Sequence, residues 1–223
     1  MLIASAEFDG LFKSNRLRIS VIGMSNVGKT RRAKSLVADS SLDFLWLHCD
    51  DLVEAKLKPY LEGKGFHGVD GVAAWMGQPY EPRYPETQKL FLKFEEEAMN
   101  GIDYLIPGNL LVDTTGSVIY LSQKVLHRLK KETIVIYLEA TDDVRKLLFD
   151  RYISNPKPVV WGGSFNRNPG ESDMDALGRC YPRLLDYRAA HYSQLADITI
   201  PHFVLRDTSG RQFLAEVRKR LSQ

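Results

Sequence analysis

The chain has 223 residues, 44% of them hydrophobic, which is enough for one domain with a buried core. Its 30 Lys and Arg residues nearly balance 28 Asp and Glu residues, so no overall field favours nucleic acid or an anionic membrane. Two distant cysteines exclude a disulfide framework, and no apolar run reaches the roughly 18 residues of a membrane span. We therefore expect a cytoplasmic protein, monomeric or weakly dimeric, with a small-molecule substrate and no nucleic-acid or membrane partner.

Short apolar runs alternate along the chain with helical patterns. This alternation predicts an α/β fold in which helices cover both faces of a parallel sheet, a three-layer αβα arrangement. Because ligands of such sheets bind beyond the carboxyl ends of the strands, we expect the functional site there. The predicted strands cover residues 17–22, 44–47, 110–112, 133–138 and 198–200. The predicted helices cover residues 31–38, 51–61, 86–99, 122–131, 141–152, 175–195 and 211–221.

Residues 1–223 are interpreted as a single domain in which two long turn-rich segments interrupt the alternation. Residues 62–85 are rich in glycine and proline around a short apolar stretch, and residues 154–178 are rich in glycine, proline and asparagine. Long segments of this kind inside a compact domain are usually functional lids or disordered loops. We assign the first to the substrate side and the second to a lid, and we treat residues 1–16 as an N-terminal extension.

The sequence Gly-Met-Ser-Asn-Val-Gly-Lys-Thr at residues 23–30 lies between the first predicted strand and the first predicted helix. It predicts a phosphate-binding loop, because its backbone N–H groups and the helix N-terminus attract phosphates. Lys29 supplies a charge for the β- and γ-phosphates, and the Thr30 hydroxyl is a ligand for Mg²⁺. The alternative is a glycine turn without a ligand. The predicted nucleotide-binding residues in the loop are Gly23, Ser25, Asn26, Val27, Gly28, Lys29, Thr30 and Arg31.

Acidic residues follow two of the other predicted strands. Asp50 is a candidate to bind or deprotonate a substrate hydroxyl, whereas Asp51 is interpreted as the N-cap of the next helix. Asp113 ends the third apolar run and is a candidate for the Mg²⁺ side of the site; the alternative is a turn aspartate.

The phosphate loop and Asp113-Thr-Thr-Gly116 together resemble the first and third motifs of small GTPases. Such proteins also need an Asn/Thr-Lys-x-Asp tetrapeptide that reads guanine, and the sequence contains none. Asp113 also lies much farther from the phosphate loop than in those proteins. A GTPase is therefore the less favoured interpretation.

Several further motifs accompany the loop in chain order. After the second strand, His48, Asp50 and Glu54 stand at the positions of an Asp-x-Asp-x-x-x-Glu motif. Gly77-Gln78, Arg83-x-x-Glu86 and Thr115-Gly116-Ser117 follow. The most specific stretch is Leu-Leu-Asp-Tyr-Arg-Ala-Ala-His-Tyr-Ser-Gln-Leu-Ala-Asp at residues 184–197. Together these motifs resemble the shikimate kinase family.

The resemblance implies a P-loop kinase fold with a five-stranded parallel sheet, and an enzyme that uses ATP and Mg²⁺ to phosphorylate a hydroxyl of a small metabolite, shikimate being the first choice. Lys29, Asp50 and Lys157 would be catalytic, and Arg151 would lie against adenine. Asp50, Arg83, Thr115, Gly116 and Arg188 would bind the substrate, with the two arginines holding its carboxylate. Taken alone, both arginines would more often be surface residues.

The sequence departs from the family at several of these positions. His48 replaces an aspartate that helps to hold Mg²⁺, so we predict that the metal uses Thr30 and Asp113. Thr115 and Ser117 replace glycines, Lys157 replaces the lid arginine, and residues 161–178 form an insertion. Two alternatives stay open: a nucleoside monophosphate kinase, although Arg167 is the lone arginine in residues 154–178, and a nucleotide-binding regulatory protein with a degenerate acceptor site.

Overall fold

The computed structural model describes residues 4–155 and 157–221. Residue 156 of the predicted lid and the two ends of the predicted domain, residues 1–3 and 222–223, lie outside the described residues. Five parallel strands form one sheet in the order β2-β3-β1-β4-β5. The predicted five-stranded parallel α/β fold is therefore confirmed. The strands are β1 (Arg18–Ile22), β2 (Phe44–His48), β3 (Asn109–Asp113), β4 (Ile134–Glu139) and β5 (Ile198–Pro201).

Nine α-helices accompany these strands in the described part of the chain, and none of them is long and apolar enough to cross a membrane. The helices are α1 (Ser5–Lys13), α2 (Lys29–Val37), α3 (Cys49–Leu61), α4 (Gly68–Met76), α5 (Tyr84–Asn100), α6 (Gln123–Glu132), α7 (Asp142–Ser154), α8 (Asp173–Leu195) and α9 (Gly210–Arg220).

The three central strands β3, β1 and β4 consist mostly of apolar residues that are fully buried. Continuous apolar strands of this kind are expected where helices cover both faces of a parallel sheet. The edge strand β2 differs, because Leu45 leaves 45% of its surface exposed. The burial pattern thus explains why the apolar runs were recognisable in the sequence.

The strand register brings three segments together at the carboxyl ends of the strands. Val21 of β1 pairs with Asp113 of β3, and Asp113 pairs in turn with His48 of β2. The phosphate loop after β1 therefore lies beside the carboxyl ends of β3 and β2. The sequence predicts the functional site at these strand ends.

Two helices were not predicted. Helix α1 buries Phe8, and its Asp9 carboxylate accepts two hydrogen bonds of 2.7 Å from Arg218 of α9. Helix α4 lies inside the glycine-rich segment 62–85 and buries Val72 and Met76. Its glycines lower the intrinsic helix propensity, so packing against α3 and α5 decides its conformation.

The interpretation of Asp51 as a helix N-cap is wrong. Helix α3 begins at Cys49, two residues earlier than predicted, and His48 occupies the N-cap position. Asp51 therefore lies in the first helical turn, where its carboxylate is 2.8 Å from His48 Nδ1. A negative charge in the first turn stabilises the helix through its dipole rather than through a cap.

Candidate active site

The phosphate loop connects the end of β1 to the start of α2 through three residues with positive φ. Gly23 has φ +140°, Asn26 has φ +64° and Gly28 has φ +102°. A Cβ atom on Gly23 would lie 2.7 Å from the carbonyl oxygen of Leu138, so only glycine fits there. Asparagine is one of the few other residues that tolerate the left-handed region, which explains how Asn26 adopts its positive φ without being glycine.

Lys29 is the first residue of α2 and is 7% exposed. Its Nζ donates hydrogen bonds to the carbonyl oxygens of Gly23, at 3.0 Å, and Met24, at 3.1 Å. Burial lowers the pKa of Lys29, whereas Asp113 and Asp50 oppose that change. The ammonium group thus lies between the loop and two carboxylates, where it can attract phosphate oxygens.

A cavity of about 300 Å³, called here the α7 cavity, lies on one side of the phosphate loop. Its wall contains apolar side chains of α7 and several positively charged groups, and Arg151 is among them as predicted. Apolar side chains next to several positive charges give this cavity groups that suit both the apolar and the anionic parts of a ligand. The lining residues are Asn26, Val27, Gly28, Arg31, Arg32, Leu138, Val144, Leu147, Arg151, His202, Leu205 and Arg206.

A second cavity of about 340 Å³, called here the strand-end cavity, lies on the other side of the loop. Asn26, Gly28 and Arg31 line both cavities, so the phosphate loop forms their common boundary. The structure brings most of the predicted site residues together in these two spaces. The lining of the strand-end cavity comprises Ser25, Asn26, Gly28, Lys29, Thr30, Arg31, His48, Asp50, Val69, Phe91, Thr115, Gly116, Ser117, Lys157 and Pro158.

Asp113 at the end of β3 is 1% exposed, and its Oδ2 atom has no hydrogen-bond partner among the described residues. Burial raises the pKa of its carboxyl group, while Lys29 and a hydrogen bond from the Thr30 hydroxyl lower it. His48 Nε2 lies 3.7 Å from Asp113 Oδ2. A buried carboxylate oxygen without a partner, beside a threonine hydroxyl, fits the donor set of a Mg²⁺ site completed by phosphates.

Asp50 leaves 30% of its side chain exposed and lines the strand-end cavity. Burial raises the pKa of its carboxyl group, and the positive charge of Lys29 opposes that change. Its Oδ2 atom is 3.7 Å from His48 Nε2, so the imidazole lies between Asp50 and Asp113. An aspartate with a raised pKa is a stronger base than an ordinary one.

Lys157, in the predicted lid, lines the strand-end cavity and forms an ion pair with Asp70 of α4. Farther along the same segment, the Trp161 N–H donates to the Tyr84 hydroxyl at 2.9 Å, and that hydroxyl donates to the Val159 carbonyl at 2.7 Å. Both lid residues are buried. The segment therefore packs onto α5 while Lys157 reaches the cavity.

The structure does not bring the two predicted carboxylate-binding arginines together in the strand-end cavity. Arg83 precedes α5, where it pairs with Glu81 at 2.9 Å and donates to the Ala74 carbonyl at 3.0 Å. Arg188 of α8 is 3% exposed and donates to the Val160 carbonyl at 2.7 Å. Their shared role as a carboxylate clamp stays a prediction.

Sequence reasoning missed Glu95 on α5. Its side chain is fully buried, and its carboxylate accepts hydrogen bonds from the hydroxyl groups of Thr115 and Ser117, both of which line the strand-end cavity. Glu95 follows Phe91 by four residues, on the stripe of α5 that faces the core. An acidic residue on an apolar helix face was therefore the signal in the sequence.

No protein-family model matches the sequence, and no curated protein matches it. Solved structures match over nearly the whole chain. The shikimate kinase of Acinetobacter baumannii in complex with shikimate has a TM-score of 0.61 at 18% identity, over 96% of this chain and 94% of that one. The shikimate kinase of Bacteroides thetaiotaomicron has a TM-score of 0.57 at 15% identity, over 93% and 99%. The chain has the shikimate kinase fold.

The shikimate kinase fold explains why the two cavities lie on either side of the phosphate loop. In open α/β sheets, ligands bind where the strand order reverses, and β1 with its loop lies at that point between β3 and β4. At sequence identities of 15% and 18%, the similarity to these structures establishes only the fold. The identities of the phosphate donor, the acceptor and the metal have to be inferred from the side chains of the site.

Proposed function

We propose that this protein is an ATP-dependent phosphotransferase that phosphorylates a hydroxyl group of a small metabolite, with shikimate as the first acceptor to test. One observation carries the proposal: the α7 cavity and the strand-end cavity meet at the phosphate loop, with Lys29 and Asp50 lining the second of them. A kinase needs such an arrangement, because donor and acceptor must approach from opposite sides of the transferred phosphoryl group.

In the proposed reaction, the adenine and ribose of ATP occupy the α7 cavity beside Arg151, and the phosphates lie along the loop. The acceptor hydroxyl attacks the γ-phosphorus, the bond from that phosphorus to the β–γ bridging oxygen breaks, and ADP leaves. Asp50 accepts the proton of the hydroxyl. Lys29 and Lys157, both of which line the strand-end cavity, stabilise negative charge on the transferred group.

Thr30 and Asp113 are the residues that would hold Mg²⁺. The ion would neutralise phosphate charge when bound. Asp113 suits this role because its unpartnered Oδ2 is buried beside the positively charged Lys29 and the Thr30 hydroxyl. A buried carboxylate oxygen without a partner is costly, and binding a cation would relieve that cost.

The proposal is tested by measuring ADP formation from ATP and Mg²⁺, with no acceptor, with shikimate, and with nucleoside monophosphates. Lys29→Met should abolish stimulated ADP formation, because it removes the charge beside the phosphates. Lys34→Met is the matched control: it lies on the same helix with an exposed side chain, and it should keep the native rate.

Stimulation by shikimate or another small hydroxylated molecule supports the proposal. Stimulation by a nucleoside monophosphate would favour the alternative of a nucleotide kinase. ATP binding without stimulation by any acceptor would refute the proposed activity and favour a regulatory nucleotide-binding protein.

A further inference from the structure

Glu95, Thr115 and Ser117 form a buried hydrogen-bonded group in the wall of the strand-end cavity, which we call the Glu95 cluster. The Ser117 hydroxyl is 2.5 Å from Glu95 Oε2, and the Thr115 hydroxyl donates to Oε1. Thr115 Oγ1 also accepts the Ser117 N–H at 3.2 Å and lies 3.1 Å from Ser117 Oγ. The proposed phosphoryl transfer uses none of these hydroxyl groups as base or metal ligand, so the cluster needs another explanation.

Charged and titratable groups from two other helices surround Glu95. Asp50 and Cys49 face it from α3, and Arg188 and Tyr192 face it from α8. Burial raises the pKa of Glu95 to about 7, while the two hydroxyl groups of the cluster and Arg188 oppose that change. The carboxyl group therefore exchanges its proton near neutral pH.

The hydrogen-bond inventory of the cluster differs between the two protonation states. An ionised Glu95 only accepts, so both hydroxyl protons are directed to it; Ser117 Oγ keeps two free lone pairs and Thr115 Oγ1 keeps one. A neutral Glu95 donates its proton to Ser117 Oγ. Ser117 then donates to Thr115 across the 3.1 Å contact, and Thr115 donates to Glu95. This closed ring leaves a single free lone pair, on Ser117.

We propose that the Glu95 cluster binds hydroxyl groups of the acceptor. A polyhydroxylated molecule donates hydrogen bonds to the hydroxyl oxygens of Thr115 and Ser117, and Glu95 keeps lone pairs on these oxygens free by accepting their protons in hydrogen bonds. The inference rests on the proposed function. Arg83 is consistent with it, because its hydrogen bonds to Glu81 and Ala74 hold it outside the lining of the cavity, whereas Arg188 Nη1 would lie 3.3 Å from a Cβ atom on Gly116 in that lining.

An acceptor that donates hydrogen bonds binds the ionised cluster better, since that state offers more lone pairs. Over pH 6 to 8 the ionised fraction rises from about a tenth to about nine tenths for a pKa near 7, so the KM of the acceptor should fall by up to about tenfold. Glu95 is a positioning residue in this account, and kcat should change less than KM.

The test measures KM and kcat for shikimate, quinate and myo-inositol at pH 6, 7 and 8. Glu95→Gln imposes the hydrogen-bond pattern of a protonated Glu95 at every pH, because the amide donates to one hydroxyl and accepts from the other. Glu97→Gln on the same helix is the matched control, with 43% of its side chain exposed and its partners on Lys56 and Lys93. Melting curves verify that both variants fold.

The expected result is a KM that falls with pH in the native protein and in Glu97→Gln but stays flat in Glu95→Gln.

A native pH profile in Glu95→Gln would overturn the inference and leave the proposed function standing. If nucleotide binds and none of the three probes is phosphorylated, the proposed function is rejected, and the inference with it.

Discussion

Replacing Glu95 with glutamine should stabilise the protein at alkaline pH relative to acidic pH. Glu95 is fully buried, so its ionisation in the folded protein has a cost that it does not have in the unfolded chain. Glutamine has nearly the same shape, donates to one cluster hydroxyl and accepts from the other, and does not titrate. The substitution therefore removes the titration while it preserves the hydrogen bonds to Thr115 and Ser117.

The magnitude follows from the pKa of Glu95, which rises from 4.5 to about 7 on folding. Between these values the folded state keeps a proton that the unfolded state has lost, so the native free energy of unfolding falls as pH rises. One pKa unit corresponds to about 1.4 kcal/mol, which makes the whole effect roughly 3 kcal/mol. Most of it is lost between pH 5 and pH 8.

The assay is urea denaturation of the native protein, Glu95→Gln and Glu97→Gln at pH 5, 6, 7 and 8. The difference in free energy of unfolding between Glu95→Gln and the native protein should grow by about 2–3 kcal/mol across this range. Other titrating groups cancel in that difference, and Glu97→Gln is the control for the loss of a glutamate with an exposed side chain on the same helix. A difference that is constant with pH would refute the buried-carboxyl reasoning and the pKa behind it.

Three further substitutions test the site. Gly23→Ala should reduce the free energy of unfolding by roughly 1–3 kcal/mol in urea denaturation, because its Cβ would lie 2.7 Å from the Leu138 carbonyl oxygen; unchanged stability would contradict this geometry. Asp113→Asn should raise the Mg²⁺ concentration for half-maximal ADP formation by about tenfold, and an unaltered Mg²⁺ dependence would remove Asp113 from the metal site. Lys157→Met should lower kcat by at least about tenfold while the fold is kept, because a charge beside the transferred group is lost; a native kcat in a folded variant would exclude this role.

Local patterns in the sequence were sufficient for the sheet and for the phosphate loop. Each central strand is buried along nearly all of its length, so its apolar run can be recognised in the sequence without knowing which strands pair with it. The loop is recognisable because Gly23 and Gly28 meet a local requirement for positive φ. By contrast, α4 and the true start of α3 at Cys49 escaped prediction, because packing and not propensity determines them.

The sequence by itself therefore determined the fold class and the conformation of the loop at residues 23–30, since both depend on contacts within short stretches. Only the tertiary structure decided the composition of the acceptor wall. Glu95 and Thr115 are twenty residues apart along the chain, and they meet because α5 packs its buried stripe behind the end of β3. Arg83 shows the reverse case: its motif matched, but its side chain forms hydrogen bonds with Glu81 and Ala74 and does not line the strand-end cavity, so its role in substrate binding stays a prediction. The chemistry of the cavity wall depends on hydrogen bonds between side chains that are distant in the sequence. The spacing of residues within one segment gives no information about such partners.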